Sequence, residues 1–190
     1  MFPMLHGLVS QGGAANWWLA GGITPSTNYT VYDPMVAADE AASFVNLANP
    51  GTRNAVKSGT VTFTAGVGWT GNGTTGYFDT GHVVTQNTTI ITMHKNSQSG
   101  RFICGVTQAS PNRSLAIAPY SSTNVTWYRS QSFTGSASRH PAGVLALNST
   151  NAYRDGVRDT SVSGTWSGSA TTRTIKLLAY DDGTVKFFNN

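Results

Sequence analysis

The side chains that do chemistry are few in this chain and widely spaced. Its 190 residues carry eight carboxylates, and one of them, Glu40, is a glutamate. Glycoside hydrolysis needs two carboxyl groups flanking the scissile bond. No segment that reads as a strand holds two of them at a spacing of two, which would put both on one face. Asp181 and Asp182 are adjacent and fall in a turn. The histidines His6, His82, His94 and His140 are dispersed. His94 ends a strand and His82 follows Asp79-Thr80-Gly81, which suits surface or strand-end residues better than a general base. No His-x-His or His-Glu-x-x-His pair points to zinc. No Gly-x-Ser-x-Gly elbow presents a nucleophilic serine. Asp79-Thr80-Gly81 matches the aspartic-protease triplet in letters alone, because Tyr77-Phe78 before it reads as a strand. Cys104, the single cysteine, lies in the apolar run Phe102-Ile103-Cys104-Gly105-Val106. It reads as a small buried side chain rather than a reactive thiol. No catalytic residue is assigned, and the expectation is a protein that is not an enzyme.

Binding chemistry offers slightly more. Calcium takes oxygen ligands from clustered carboxylates. Asp155, Asp159, Asp181 and Asp182 are the late acidic residues, all in turns, where Asp is favoured for its own reasons. No metal ligand set and no cofactor is assigned, and calcium is the one ion for which candidates exist. Sugar recognition needs exposed aromatic faces beside amides or Arg. Pro119-Tyr120 and Asn124-Val125-Thr126-Trp127-Tyr128-Arg129 supply that mixture, so Tyr120, Tyr128 and Arg129 are the candidate carbohydrate-binding residues. The alternative is that these aromatics pack a sheet face. Trp127 and Tyr128 are consecutive, so in a strand one faces the core and the other faces out.

The elements that must position these groups are β-strands. Charged residues make up 11% of the chain, against roughly 25% in an average globular protein, which removes the wet faces a helical bundle needs. Thr60–Thr64 alternates polar and apolar residues, and Asn87–Met93 is β-branched. The segments 101–106, 114–118, 125–130 and 144–147 read as further strands. Tyr153–Arg158 is a hairpin with Asp155-Gly156 at its tip. Residues 175–180 and 185–188 flank Asp181-Asp182-Gly183 as a second hairpin. One helix is expected, opened by Asp33-Pro34, running over 35–46 and stopped by Asn49-Pro50-Gly51. The fold class is therefore all-β, an antiparallel β-sandwich with one short helix.

Residues 1–28 form an apolar arm ahead of a sandwich domain at 29–190. Phe2, Leu5, Trp17 and Trp18 are its candidate docking side chains, because adjacent tryptophans are costly to leave in water. The arm either folds back over its own sandwich or docks onto a neighbouring subunit. The net charge is +4, but its cations are scattered singly from Arg53 to Lys186, which speaks against a nucleic-acid surface. No run approaches the roughly eighteen apolar residues of a membrane span. The start, interrupted by Pro3 and Gly7, does not read as a secretory signal.

Three segments in order, Asn46-Leu47-Ala48-Asn49-Pro50-Gly51, Gly71-Asn72-Gly73-Thr74-Thr75-Gly76-Tyr77-Phe78-Asp79-Thr80-Gly81 and the Asp155-Gly156 hairpin, carry a resemblance. The chain resembles the concanavalin A-like lectin/glucanase superfamily in its laminin-G-like branch, as found in structural proteins of tailed phages and prophages. The likeness covers residues about 30 to 190 and rests on strand-and-turn patterns. It implies a jelly-roll sandwich in a virion protein, a decoration or tail-associated subunit whose partners are other virion subunits or itself. Cell-surface polysaccharide is a further implied ligand, and a stand-alone carbohydrate-binding module is the alternative. The family's glucanases resemble Glu-x-Asp-x-Glu on one strand, which this chain does not carry. It also departs at Phe187-Phe188-Asn189-Asn190, where the family continues into a last apolar strand. The expectation is an open sheet edge there or a filler such as the N-terminal arm.

Overall fold

β-Branched and aromatic residues alternating with Ser, Thr and Gly favour extended backbone, and the chain is all-β with one short helix. A computed structural model describes residues 29–85, 87–95, 102–108, 113–121, 124–129, 131–138, 140, 142–148, 150–162, 172–181 and 184–187. They belong to two compact units. One is the chain up to Ala55 together with Phe63–Trp69; the other is Val56–Thr62 with everything from Thr70 onward. The expected arm, residues 1–28 with Phe2, Leu5, Trp17 and Trp18, lies outside the described residues.

The first unit is organised by one buried amide. Asn46 Oδ1 accepts from the backbone N–H of Val31 (2.9 Å) and Ala48 (3.1 Å), while its Nδ2 donates to the carbonyls of Thr52 (2.8 Å) and Tyr29 (3.3 Å). This corrects the expected helix. Pro34–Val36 form a turn, and α1 spans only Glu40–Ser43, capped by Asp39 Oδ1 accepting from the Ala42 N–H at 2.8 Å. The Ala-rich segment favours a longer helix, but the backbone must leave it after Phe44 for Asn46 to reach four partners. Satisfying a buried amide outweighs a few tenths of a kcal/mol of propensity per residue. Trp69 lies against this turn, with Nε1 donating to Ser43 Oγ at 2.8 Å and its ring beside Tyr32 and Phe44.

The strands follow in order: β1 (Val56–Ser58), β2 (Val61–Thr64), β3 (Gly68–Gly71), β4 (Tyr77–Val83), β5 (Ile90–Lys95), β6 (Cys104–Gln108), β7 (Arg113–Ser121) and β8 (Asn124–Arg129). After them come β9 (Gln131–Ser138), β10 (Ala142–Leu147), β11 (Ala152–Arg154), β12 (Val157–Arg158), β13 (Thr174–Leu177), β14 (Ala179–Asp181) and β15 (Val185–Phe187). β2 and β3 pair with each other. In the second unit a large sheet runs β1-β4-β13-β6-β7-β8-β9, with β14 joined to β6 and β15 to β14. A smaller sheet runs β12-β11-β10-β5. All these pairings are antiparallel except the single bridge between Asp181 and Val106.

The two sheets share one core. Cys104, Val106, Leu115, Ile117, Val125 and Trp127 of the large sheet meet Ile90, Leu145, Leu147 and Ala152 of the small one. Fully burying a side chain of this size stabilises by about 1.5–3 kcal/mol, so this cluster sets the layering. Trp127 is the core member of the Trp127-Tyr128 pair, with no exposed surface. Several strand boundaries differ from expectation: the strand expected over Asn87–Met93 is found as β5, with Thr88 and Thr89 outside it. Leu178 takes φ 62° and splits the expected strand 175–180 into β13 and β14. β9, polar and Gly-containing, is strand because β8 offers it an edge, with Phe133 in register opposite Trp127.

Candidate functional site

The Asp155-Gly156 turn does more than reverse the chain. Asp155 and Gly156 take φ 47° and 81°, the pair of positive values that a two-residue hairpin loop of matching twist requires. The turn swings the Asp155 carboxylate over β10. Its Oδ1 accepts from the Val144 N–H at 2.8 Å, and the Asp155 N–H donates to the Val144 carbonyl at 2.8 Å. Its Oδ2 lies 2.8 Å from His140 Nε2. His140 Nδ1 in turn lies 3.4 Å from His94 Nε2, which is 2.9 Å from the His140 carbonyl oxygen. A Cβ at Gly143, which takes φ 132°, would overlap Asp155 Oδ1 and the His140 ring, so only glycine lets the three groups close.

These contacts assign the protons. A carbonyl only accepts, so His94 Nε2 carries hydrogen toward it. Burial pushes the Asp155 carboxyl up, but hydrogen bonds from Val144 and His140 and the nearby imidazoles outweigh burial and hold it below the usual carboxylate range. His140 Nε2 therefore donates to an ionised carboxylate. His94 Nδ1 is left as a buried atom without a hydrogen-bond partner. Burial pushes His94 down, and the His140 charge adds to this. The His140 carbonyl and Asp155 pull the other way without prevailing. A carboxylate–imidazole pair is the orienting half of a general base. Here it faces a second imidazole and ties the end of β5 to the β11–β12 hairpin. His94 stands near the end of β5, as expected, but the expectation that His140 is a surface or strand-end residue is corrected, since it is only 7% exposed and packs against His94.

A second cluster gathers on Lys176 of β13. Its Nζ lies 2.6 Å from Asp79 Oδ2, 2.8 Å from Thr174 Oγ1 and 3.8 Å from Asp181 Oδ2, with the Tyr77 ring centroid at 5.9 Å. Thr174 Oγ1 donates to Asp79 Oδ1, which also accepts from the Gly81 N–H. Two carboxylates from β4 and β14 thus converge, a meeting that spacing within one strand could not reveal. A glycosidase pair needs one carboxyl with a raised pKa. Burial raises Asp79, but hydrogen bonds from Lys176, Thr174 and Gly81 and the Lys176 charge outweigh it and hold the carboxyl low. Asp79 is thus held as the ionised partner of Lys176.

A third cluster lies under Trp127, whose Nε1 donates to Asp159 Oδ2 at 3.4 Å. Asp159 Oδ1 accepts from Ser161, and Arg154 Nε stands 3.9 Å from Oδ2. The acidic residues considered for calcium are therefore divided among separate clusters, with Asp182 outside the described residues. Among the described residues no group of three or more His, Cys, Asp or Glu side chains is disposed to hold a metal ion. Cys104 is 1% exposed, and burial pushes its thiol up to about 12, against a hydrogen bond with the Ile117 backbone. Tyr120 falls in β7, and Tyr128 and Arg129 are consecutive in β8, in register with Ala116 and Leu115. Their side chains lie outside what is described.

The four-stranded sheet also presents an apolar outer face that sequence reasoning missed. On β5, Ile90 is buried while Ile91 and Met93 are 52% and 63% exposed; Val144, opposite Met93 on β10, is 37% exposed. Among the described strands β5 is the last of this sheet. Alternation over 90–93 carried part of the signal, but four apolar or β-branched residues in a row do not say which face is wet. Among the described residues no helix is long and apolar enough to cross a membrane. No family model, no curated protein and no solved structure matches the chain.

Proposed function

We propose that the chain is a non-enzymatic structural subunit of a tailed-phage virion, a capsid-decoration or tail-associated protein whose lectin-like, concanavalin A-type jelly roll works by docking. The observation that carries this is the apolar outer face of the four-stranded sheet, Ile91, Met93 and Val144, beside an edge strand. Contiguous exposed apolar surface favours association, at about 25 cal/mol per Å² removed from water. The polar clusters support the non-catalytic part. Asp79, Asp155 and Asp159 are each engaged by Lys176, His140 or Trp127, in contacts that hold strands together. The strand-and-turn likeness to phage lectin-like domains supplies the virion setting.

Binding of surface polysaccharide through Tyr120, Tyr128 and Arg129 is the second capacity, and it is the whole function if the chain is a stand-alone carbohydrate-binding module. No observation on the described residues favours it over docking. Mass spectrometry of extensively washed particles from the encoding phage or prophage tests the main reading. The chain is expected at a fixed stoichiometry to the major capsid or tail protein, and its absence from infectious particles would sink the proposal. A glycan array run beside it tests the second capacity.

A further inference from the structure

We propose that the open edge of β5 is where a second copy of this chain docks. The two β5 strands run antiparallel with Thr92 on the two-fold axis, so that two four-stranded sheets become one. This rests on the docking reading above and names its partner. β5 pairs with β10 over six consecutive positions, from Ala142–Lys95 to Leu147–Ile90, with no bulge, and no described strand pairs with its other side. A regular strand without proline presents evenly spaced N–H and C=O groups, a template for another strand. The opposite edge of the sheet, β12, is two residues long and offers no such template.

The side chains select the register. Directly opposed residues of an antiparallel pair lie on the same face. With Thr92 on the axis, Ile91 meets Met93 of the partner subunit on the outer face, and Ile90 meets His94 of the partner subunit on the inner one. Both outer apolar side chains, 52% and 63% exposed in the single chain, are then covered in reciprocal pairs. A Met93-centred register would instead set Ile91 against Lys95 of the partner subunit. Charge agrees with the choice of a second copy. Lys95 is the only Lys, Arg, Asp or Glu in β5. Around Thr92 the two lysines stand six residues apart along the strand, about 20 Å at roughly 3.3 Å per residue, beyond the Debye length of about 8 Å in physiological salt. The two Lys95 side chains therefore add no like-charge penalty in this register.

The test is sedimentation equilibrium of the full chain from about 1 to about 100 µM, with circular dichroism on each variant to show that it is folded. The wild type is expected to form a dimer. Met93→Lys alone and Ile91→Glu alone, both at exposed positions, are expected to weaken it at least tenfold. The Ile91→Glu/Met93→Lys double variant places opposite charges across the axis twice and is expected to restore it. A wild type that stays monomeric, a dimer that Met93→Lys leaves intact, or a double variant that does not recover would each overturn the inference. The outcomes separate from those of the function: a monomer found in particles removes this dimer and keeps the virion reading. A rescued dimer absent from particles does the reverse.

Discussion

Asp155 holds His140 Nε2 at 2.8 Å while its own backbone sits at φ 47° in the turn between β11 and β12. One residue thus shapes a hairpin and pins the segment before β10 to it. The pinning extends to the end of β5 through His94, and Gly143 is the gap that admits the carboxylate.

Substitutions at this junction separate the two duties of Asp155. Asp155→Asn keeps a side chain that tolerates positive φ and removes the charge. It is expected to cost about 1 kcal/mol, because the carboxylate is largely solvent-exposed and its charge-assisted bond is partly screened. Asp155→Ala adds the left-handed penalty of about 1 kcal/mol and is expected to cost about twice as much. Gly143→Ala must both strain its backbone and displace the His140 ring, so its loss is expected to exceed either. Urea denaturation of the three variants gives the ranking, and an Asn variant as damaging as the Gly143 one would contradict it.

Acid is expected to weaken the fold in two windows. His94, Asp155 and Asp79 all bind protons less readily when folded than when unfolded. The unfolded chain therefore takes up more protons as pH falls, and stability drops. For His94 the loss begins at its unfolded value of 6.5 and is complete at its lower folded value. For the two carboxylates the contribution is full above 3.8 and is lost as pH falls through their folded values. Urea midpoints measured from about pH 7.5 to about pH 5 should fall in the wild type and flatten in His94→Gln. An unchanged slope in the variant would place the titration elsewhere.

Lys176 is 8% exposed at its side chain, and it balances carboxylates from two other strands. Lys176→Met keeps the length of the stem but strands Asp79 and Asp181 together. Breaking a buried pair costs about 3–5 kcal/mol. Asp79 remains over a third exposed and can rehydrate, so about 2 kcal/mol is expected. Thermal denaturation checks the size, and a variant as stable as the parent would mean the cluster contributes nothing net.

Cys104 should be chemically silent in the native state. Its thiol is buried, with its pKa pushed up to about 12, so almost no thiolate exists at neutral pH. A thiol reagent such as dithiobisnitrobenzoate at about pH 8 should leave the native protein unmodified for an hour and titrate one thiol per chain in denaturant. Rapid native labelling would show that the strand carrying Cys104 opens locally.

Local signals were legible where a few consecutive residues decide the outcome. Asp155-Gly156 specifies its turn because both residues tolerate positive φ, and the β-branched run within Asn87–Met93 marks β5, although Thr88 and Thr89 fall outside it. The burial of Cys104 followed from its apolar neighbours. The helix expected over 35–46 failed for the opposite reason. Asn46 finds its partners at Tyr29, Val31 and Thr52, and Ala-rich composition says nothing of a buried amide with distant partners.

The sequence by itself determined an all-β, antiparallel chain, since strand propensity, alternation and turn chemistry act over a few residues. It also determined that no single strand carries paired carboxylates. Only the tertiary structure decided that His94 meets His140, 46 positions away, and that Lys176 meets Asp79, 97 positions away. It alone left β5, among the described strands, with β10 as its one neighbour. Those outcomes depend on which strands become neighbours and in what register, and that is set by burying one shared core around Trp127, Leu115 and Leu145, a property of the whole chain rather than of any segment.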